Sequence, residues 1–281
     1  MAVVEGPERG PEITIVVPTR NRPDRLRQCL VRLSEQIASS EIEVVVVDDG
    51  SDDAEGVASV VEPTLNARLV RQARRGPGAA RNAGVRAARG SVICLTDDDC
   101  EPGPGWVATM AEAVRAGAHV VAGQTVTGDP RSRLARASEL VTDAVTHRAR
   151  APFAASNNLA STARLLEEVP FDESYSDAAG EDRDWCERIL ARGLRIERRP
   201  ATVVHRQELS LRGYLGRHVR YGRASYRFHR AEPRRRRLER PGFYTGLLRD
   251  GFREGPAVGV LVGVAQVATA LGYAREALAR S

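Results

Sequence analysis

Ser91-Val92-Ile93-Cys94-Leu95-Thr96-Asp97-Asp98-Asp99-Cys100-Glu101 decides how the rest of this chain is read. A short apolar run of this kind suits a buried strand, and its three consecutive carboxylates fall where the strand leaves the sheet. Adjacent negative charges repel one another, so the cluster calls for a positive partner, most simply a divalent cation. A solvated acidic turn is the plain alternative, and the neighbouring segments decide between the two.

Upstream, the same unit recurs. Ile13-Thr14-Ile15-Val16-Val17 predicts a buried strand that stops at Pro18, which has no N–H for a central ladder. The loop Thr19-Arg20-Asn21-Arg22 leads into Pro23 and Asp24, a helix first turn, and Leu26, Cys29, Leu30, Leu33 and Ile37 mark one helical face. Glu43 to Val47 predicts a second strand, continuous and β-branched as in a parallel sheet covered on both faces, and it ends in Asp48-Asp49-Gly50-Ser51. A carboxylate at the carboxyl end of a parallel strand is placed to contact a nucleotide, which makes Asp49 a candidate; a turn or helix cap explains it equally well locally. Ala67 to Val70 predicts a short third strand. The glycines of Gly76-Pro77-Gly78-Ala79-Ala80-Arg81-Asn82-Ala83-Gly84 then permit a tight turn into a helix whose positive end, with Arg81, suits a diphosphate. Neither G-x-G-x-x-G nor G-x-x-x-x-G-K-[ST] is present.

Composition narrows the setting. The 281 residues allow one large domain or two small ones, and the net charge of +5 comes entirely from arginine, since the chain has no lysine. The four cysteines, Cys29, Cys94, Cys100 and Cys186, form no C-x-x-C pair and no disulfide framework, so a reducing compartment is expected. Met1 to Gly10 has no apolar core of a signal peptide, and the body of the protein is expected in the cytoplasm.

Together, Val17-Pro18-Thr19-Arg20-Asn21-Arg22, Val47-Asp48-Asp49-Gly50-Ser51, Ala80-Arg81-Asn82-Ala83-Gly84 and Thr96-Asp97-Asp98-Asp99 resemble the ordered motifs of family 2 glycosyltransferases from about Ile13 to His205, the later part more loosely. The resemblance implies the α/β GT-A fold, a Rossmann-like, mostly parallel sheet flanked by helices. It implies that Pro18, Thr19, Arg20 and Asp49 hold the nucleobase, with Arg20 where many relatives carry an aromatic. It further implies that Asp97 faces ribose and metal, and that Asp99 ligates a Mn or Mg ion bridging the diphosphate. Asp98 fills the variable position of the D-x-D motif and is assigned no role. Gly180-Glu181-Asp182-Arg183-Asp184-Trp185 resembles the family's E-D motif, which makes Asp182 the general base and Glu181 an acceptor-binding residue; without the resemblance these acids read as complements of a helix dipole. Val203-Val204-His205 resembles a place where some relatives add a histidine metal ligand. Asn157 and Asn158, in the segment resembling the acceptor side, read either as sugar ligands or as turn amides. The Q-x-x-R-W motif of processive relatives is missing, which favours addition of one sugar.

His119 to Gly123 predicts a strand, Pro130 to Ala151 an Arg-rich amphipathic helix or mobile segment, and Leu194 to Glu197 the final strand. Residues 1–11 read as a flexible terminus, 12–206 as the GT-A domain and 207–281 as a helical extension. In that extension arginines alternate with Tyr214, Tyr221, Tyr226 and Phe228, followed by Arg234-Arg235-Arg236-Arg237 and by the uncharged Pro256 to Ala274. Arginines near an anionic bilayer contribute roughly 1 kcal/mol each before screening. An apolar stretch of this length is borderline for a span and equally suits a helix lying in the interface or docked on protein.

The expected function is inverting, metal-dependent, non-processive transfer from a nucleotide-sugar to an acceptor glycan or lipid-linked sugar, with peripheral contact at the inner face of the cell membrane and no nucleic acid. A nucleotidyltransferase of similar fold is the alternative, lacking its Gly-rich first loop here, and a non-catalytic sugar-nucleotide-binding module is another. A haloacid-type phosphatase is disfavoured because Asp48-Asp49-Gly50-Ser51 lacks the D-x-D-x-T spacing.

Overall fold

A computed structural model describes residues 10–37, 41–149, 153–175, 179–206, 209–231 and 239–280. One eight-stranded sheet has the order β3-β2-β1-β4-β7-β6-β8-β5. Its strands are β1 Ile13–Thr19, β2 Ile42–Asp49, β3 Ala67–Gln72, β4 Val92–Thr96, β5 Cys100–Pro102, β6 Val120–Thr127, β7 Asn158–Thr162 and β8 Ile196–His205. The β1–β2, β2–β3, β1–β4 and β6–β8 pairs are parallel and the other three antiparallel, so the sheet is α/β and mostly parallel, as its continuous apolar runs require.

Alternating strand residues feed two cores. Ile15, Val17, Val44, Val46, Val92 and Cys94 meet helices α1 (Pro23–Ser34), α2 (Ala54–Val61) and α4 (Trp106–Arg115). Val16, Val45, Val47, Ile93 and Leu95 face α3 (Pro77–Ala87), α6 (Ala163–Glu168) and α7 (Glu181–Ala191). The chain leaves β1 for β2 and β3 on one side and returns to β4 on the other, so the carboxyl ends of β1 and β4 flank a topological switch point, where open α/β sheets bind ligands.

Three segments differ from expectation. The strand expected to end at Gly123 continues to Thr127, because Gln124 to Thr127 pair with Thr202 to His205. The strand expected at Leu194 begins at Ile196 and runs to His205; Pro200, which cannot donate to a ladder, falls within the register irregularity of the β6–β8 pair. The amphipathic segment resolves into α5 (Arg133–Asp143) followed by a π-helical turn, Ala144–Arg148.

The extension forms α8 (Leu211–Ala231), α9 (Pro241–Glu254) and α10 (Pro256–Ala279). Tyr214, Leu247, Val258, Val262 and Ala265 share a core with Ala137 and Ala144 of the α5 region. Backbones touch where α8 crosses α10: a Cβ on Gly222 would lie 1.9 Å from the Thr269 carbonyl oxygen, and one on Gly272 would lie 2.1 Å from that of Val219. Buried Glu276 of α10 accepts from Arg223 and Arg227 of α8 and from Arg280. Within the Arg-aromatic segment Tyr214, His218 and Phe228 are buried, and two of its arginines hold α10. The Arg234 to Arg237 run lies outside the described residues.

Candidate active site

The expected acids converge at the carboxyl edge of the parallel strands. β1 ends at Thr19, whose hydroxyl donates to Asp98 at 2.8 Å across the switch point. Asp98, left without a role by the sequence, is 4% exposed and also receives the Arg22 guanidinium at 3.2 Å. Burial and the charge of Asp99 push it up to about 7, although Arg22 and Thr19 oppose them. Its work is structural: it ties the loop after β1 to the end of β4.

Asp97 and Asp99 point elsewhere. Arg81 in α3, 3% exposed, donates to Asp97 at 2.7 Å and to Glu181 at 3.0 Å, joining the end of β4 to the start of α7. Although burial disfavours its charge, these two carboxylates hold the guanidinium above its ordinary pKa. Glu181 and Asp182 open α7 after Gly180, whose φ of +94° reverses the chain. Burial pushes both carboxyls upward, with each other's proximity adding to Glu181 and Arg81 pulling against both. The Asp182 carboxylate accepts from the backbone N–H of Arg183 at 2.8 Å and of Ser156, which fixes its direction.

The antiparallel register Cys100↔His205 brings His205 beside Asp99, with Nε2 3.1 Å from Oδ1. Burial pulls the Asp99 carboxyl up, but the His205 hydrogen bond and charge, with Arg22 and Arg217, win and hold it down to about 2. Ligand atoms of Asp99, Cys100 and His205 lie within 4.8 Å of one another. Burial and nearby carboxylates keep the Cys100 thiol protonated, leaving an ionised oxygen and an imidazole nitrogen, a donor pair that fits a Mn- or Mg-type cation better than a thiolate-seeking one.

On the nucleobase side, Asp49 accepts from Gln72 at 2.7 Å and from the amides of Arg75 and Gly76 at 2.8 Å each, so it organises the loop into α3. Asp53, not Asp49, caps α2. Arg20 donates to the Gly50 carbonyl at 3.3 Å, which leaves its guanidinium beside the loop after β2, and Pro18, expected to stop β1, lies within it opposite Val47, one residue before its end at Thr19. Asn158 opens β7 and is buried, with its amide committed to Trp106, Gln124 and Ala201, and the Asn157 amide, in the preceding turn, bonds to Thr125 and Cys100; only Asn157 is a turn amide. A cavity of about 190 Å³, lined by Gln124, Asp143, His147, Ala155 and Arg198 among others, lies one residue from Ser156.

Two contributors were not foreseen. Arg22 bridges Asp98 and Asp99, and it stood within the quoted loop motif. Helix α8 also reaches the site: Arg217 acts electrostatically on Asp99, and Tyr221 lies within reach of the charges of Asp182 and Glu181. Its helical period was readable in the tail, its destination was not.

Residues 14–168, more than half of the chain, match the model of glycosyl transferase family 2. The succinoglycan biosynthesis protein ExoO of Rhizobium meliloti (strain 1021) is 40% identical over 118 residues, covering 40% of this chain and 33% of that protein. The pre-mycofactocin glycosyltransferase of Mycobacterium tuberculosis is 28% identical over 237 residues, covering 77% of this chain and 48% of the relative, so the chain matches less than half the length of either. Among solved structures, the mannosyltransferase PcManGT from Pyrobaculum calidifontis, in complex with GDP-Man and Mn2+, superposes with a TM-score of 0.61 at 23% identity, covering 98% of this chain and 82% of that one. That likeness shows the fold, GT-A.

Proposed function

Because the chain belongs to glycosyl transferase family 2, we propose that it transfers one sugar from a nucleotide-sugar to an acceptor hydroxyl with inversion, in the synthesis of an envelope polysaccharide or glycolipid. The observation that carries this reading is the Arg81 bridge, which ties Asp97 on the donor side to Glu181 beside Asp182 on the acceptor side. Domain boundaries near residues 12, 206 and 281 go with it.

Pro18, Thr19, Arg20 and Asp49 line the nucleobase side. Arg81 and Asp97 face ribose and diphosphate, and Asp99 with His205, and Asp97 nearby, hold a divalent Mn or Mg ion. That ion, when bound, supplies Lewis-acid stabilisation to the leaving diphosphate. Asp182 accepts the acceptor proton while the sugar's bond to the diphosphate breaks on the opposite face, and its raised pKa brings it nearer to neutral operating pH. Glu181, held by Arg81, assists acceptor binding. A nucleotidyltransferase would need phosphate-cradling glycines after β1, where Pro18-Thr19-Arg20 stand.

The test is Asp182→Asn. It is expected to keep nucleotide-sugar affinity by calorimetry and to lose roughly 100-fold or more in turnover, the scale of a general base. Turnover within a few-fold of wild type would move the base elsewhere.

We further propose peripheral contact with the inner leaflet through α10. Val260, Val264, Val267 and Leu271 form an exposed stripe at helical spacing, while the opposite face packs on α8, α9 and α5. With one face covered by protein, α10 suits the interface plane. Full-length protein is expected to float with vesicles containing anionic lipid and to be only partly released by high salt, because screening leaves the apolar contribution in place. Failure to float, with binding to RNA or DNA instead, would reverse this.

A further inference from the structure

Helix α8 passes the start of α7 and touches it at two points. Arg217, Tyr221, Ala224 and Phe228 are spaced i, i+4, i+7, i+11 and therefore share that face. At its far end Phe228 lies under the Arg183 guanidinium, 4.7 Å from ring centroid to Cζ. One turn back, Ala224 packs against Gly180, where an added Cβ would come within 3.2 Å of the alanine methyl. Tyr221 follows on the same face, and its phenol feels the charges of Asp182 and Glu181 at the start of α7.

The ring of Tyr221 is held without help from its hydroxyl. Its edge meets His218, with centroids 5.6 Å apart, and His218 meets Tyr214 at 4.6 Å; Tyr214 in turn donates to the Leu261 carbonyl of α10 at 3.1 Å. His218 is buried with neither ring nitrogen hydrogen-bonded among the described residues, so it serves as an apolar wedge. The Tyr221 hydroxyl likewise has no hydrogen-bond partner among the described residues. A half-buried phenol, braced from behind and within reach of the charges of two carboxylates, leaves an O–H donor on the acceptor side.

We propose that Tyr221 positions the attacking hydroxyl beside Asp182, so that α8 supplies part of the acceptor side of the catalytic centre. This rests on Asp182 as the base. The phenol donates to an oxygen lone pair of the incoming hydroxyl and turns that hydroxyl's own proton toward Asp182. Burial and the Asp182 and Glu181 charges raise the Tyr221 pKa, against Arg217 and Arg220, which keeps the donor protonated.

The test is Tyr221→Phe in the full chain, beside wild type and Asp182→Asn, with a panel of GDP-, UDP- and dTDP-hexoses and Mn2+, water being the acceptor. Nucleotide release then reports the chemistry without knowledge of the natural acceptor. Tyr221→Phe is expected to leave donor KM, calorimetric donor affinity and melting temperature at wild-type values and to lower kcat about tenfold, as loss of one hydrogen bond to a reacting group implies. An unchanged kcat overturns the proposal, and so does a fall in kcat that comes with weakened donor binding and a lowered melting temperature, which marks a packing role. If Asp182→Asn turns over like wild type, the base assignment has failed instead, whatever Tyr221→Phe does.

Discussion

Replacing Arg81 by Gln removes the cation that bridges the donor-side and acceptor-side carboxylates. Arg81 is 3% exposed and Glu181 4%, so the loss leaves Glu181 buried without its charge partner. The Asp97 side chain, 29% exposed, can be relieved by water and contributes less. Breaking a buried pair from one side costs about 3–5 kcal/mol; with the Asp97 share discounted for solvent, we take about 3 kcal/mol at pH 8. For a chain of this size that corresponds to a melting temperature lowered by roughly 5–10 °C. The pH dependence carries the sharper test. A carboxyl whose folded pKa is raised binds a proton in the native state that the unfolded chain has released, so native stability falls as pH rises above the ordinary glutamate range. Glu181 is raised already, and loss of Arg81 raises it further. The deficit of the variant relative to wild type is therefore large at pH 8 and shrinks to less than half at pH 5, where the carboxyl is protonated in both proteins. Melting curves from pH 5 to 8 without divalent metal measure it. A variant as stable as wild type at pH 8, or a deficit that does not change with pH, would refute the reasoning.

Asp99→Ala is expected to weaken Mn2+-dependent nucleotide-sugar binding at least tenfold by calorimetry, since even outer-shell partners of a metal cost that much; equal affinity with and without Mn2+ in both proteins would remove Asp99 from the metal site. Gly222→Leu puts a side chain where the Thr269 carbonyl already lies 1.9 Å from an added Cβ, and is expected to cost more than the about 1–3 kcal/mol of ordinary overpacking. It should lower melting temperature and transfer rate together, because α8 touches the start of α7 through Ala224 at Gly180 and Phe228 at Arg183; a fall in stability with full activity would uncouple the two helices.

The strands and most helices of the α/β part were legible in the sequence, because local pattern determines them. Ile13 to Val17, Glu43 to Val47 and Val92 to Leu95 are continuous apolar runs only a doubly covered sheet accommodates, and turn residues end each one. The acids at 97 and 99 were legible as a cluster of like charges that needs a reason, and those at 181 and 182 through the family resemblance alone. The partners of those acids were decided by tertiary structure alone. Strand order put Thr19 against Asp98, the β5–β8 register put His205 against Asp99, and packing of α3 on α7 put Arg81 between Asp97 and Glu181, contacts 79, 106, 16 and 100 residues apart in the chain. For α8 the sequence offered arginines alternating with aromatics, which read as a signal for an anionic surface. Where that helix packs was decided by the glycines at 222 and 272, which let the backbones of α8 and α10 touch, because close helix approach depends on what the facing surface leaves open.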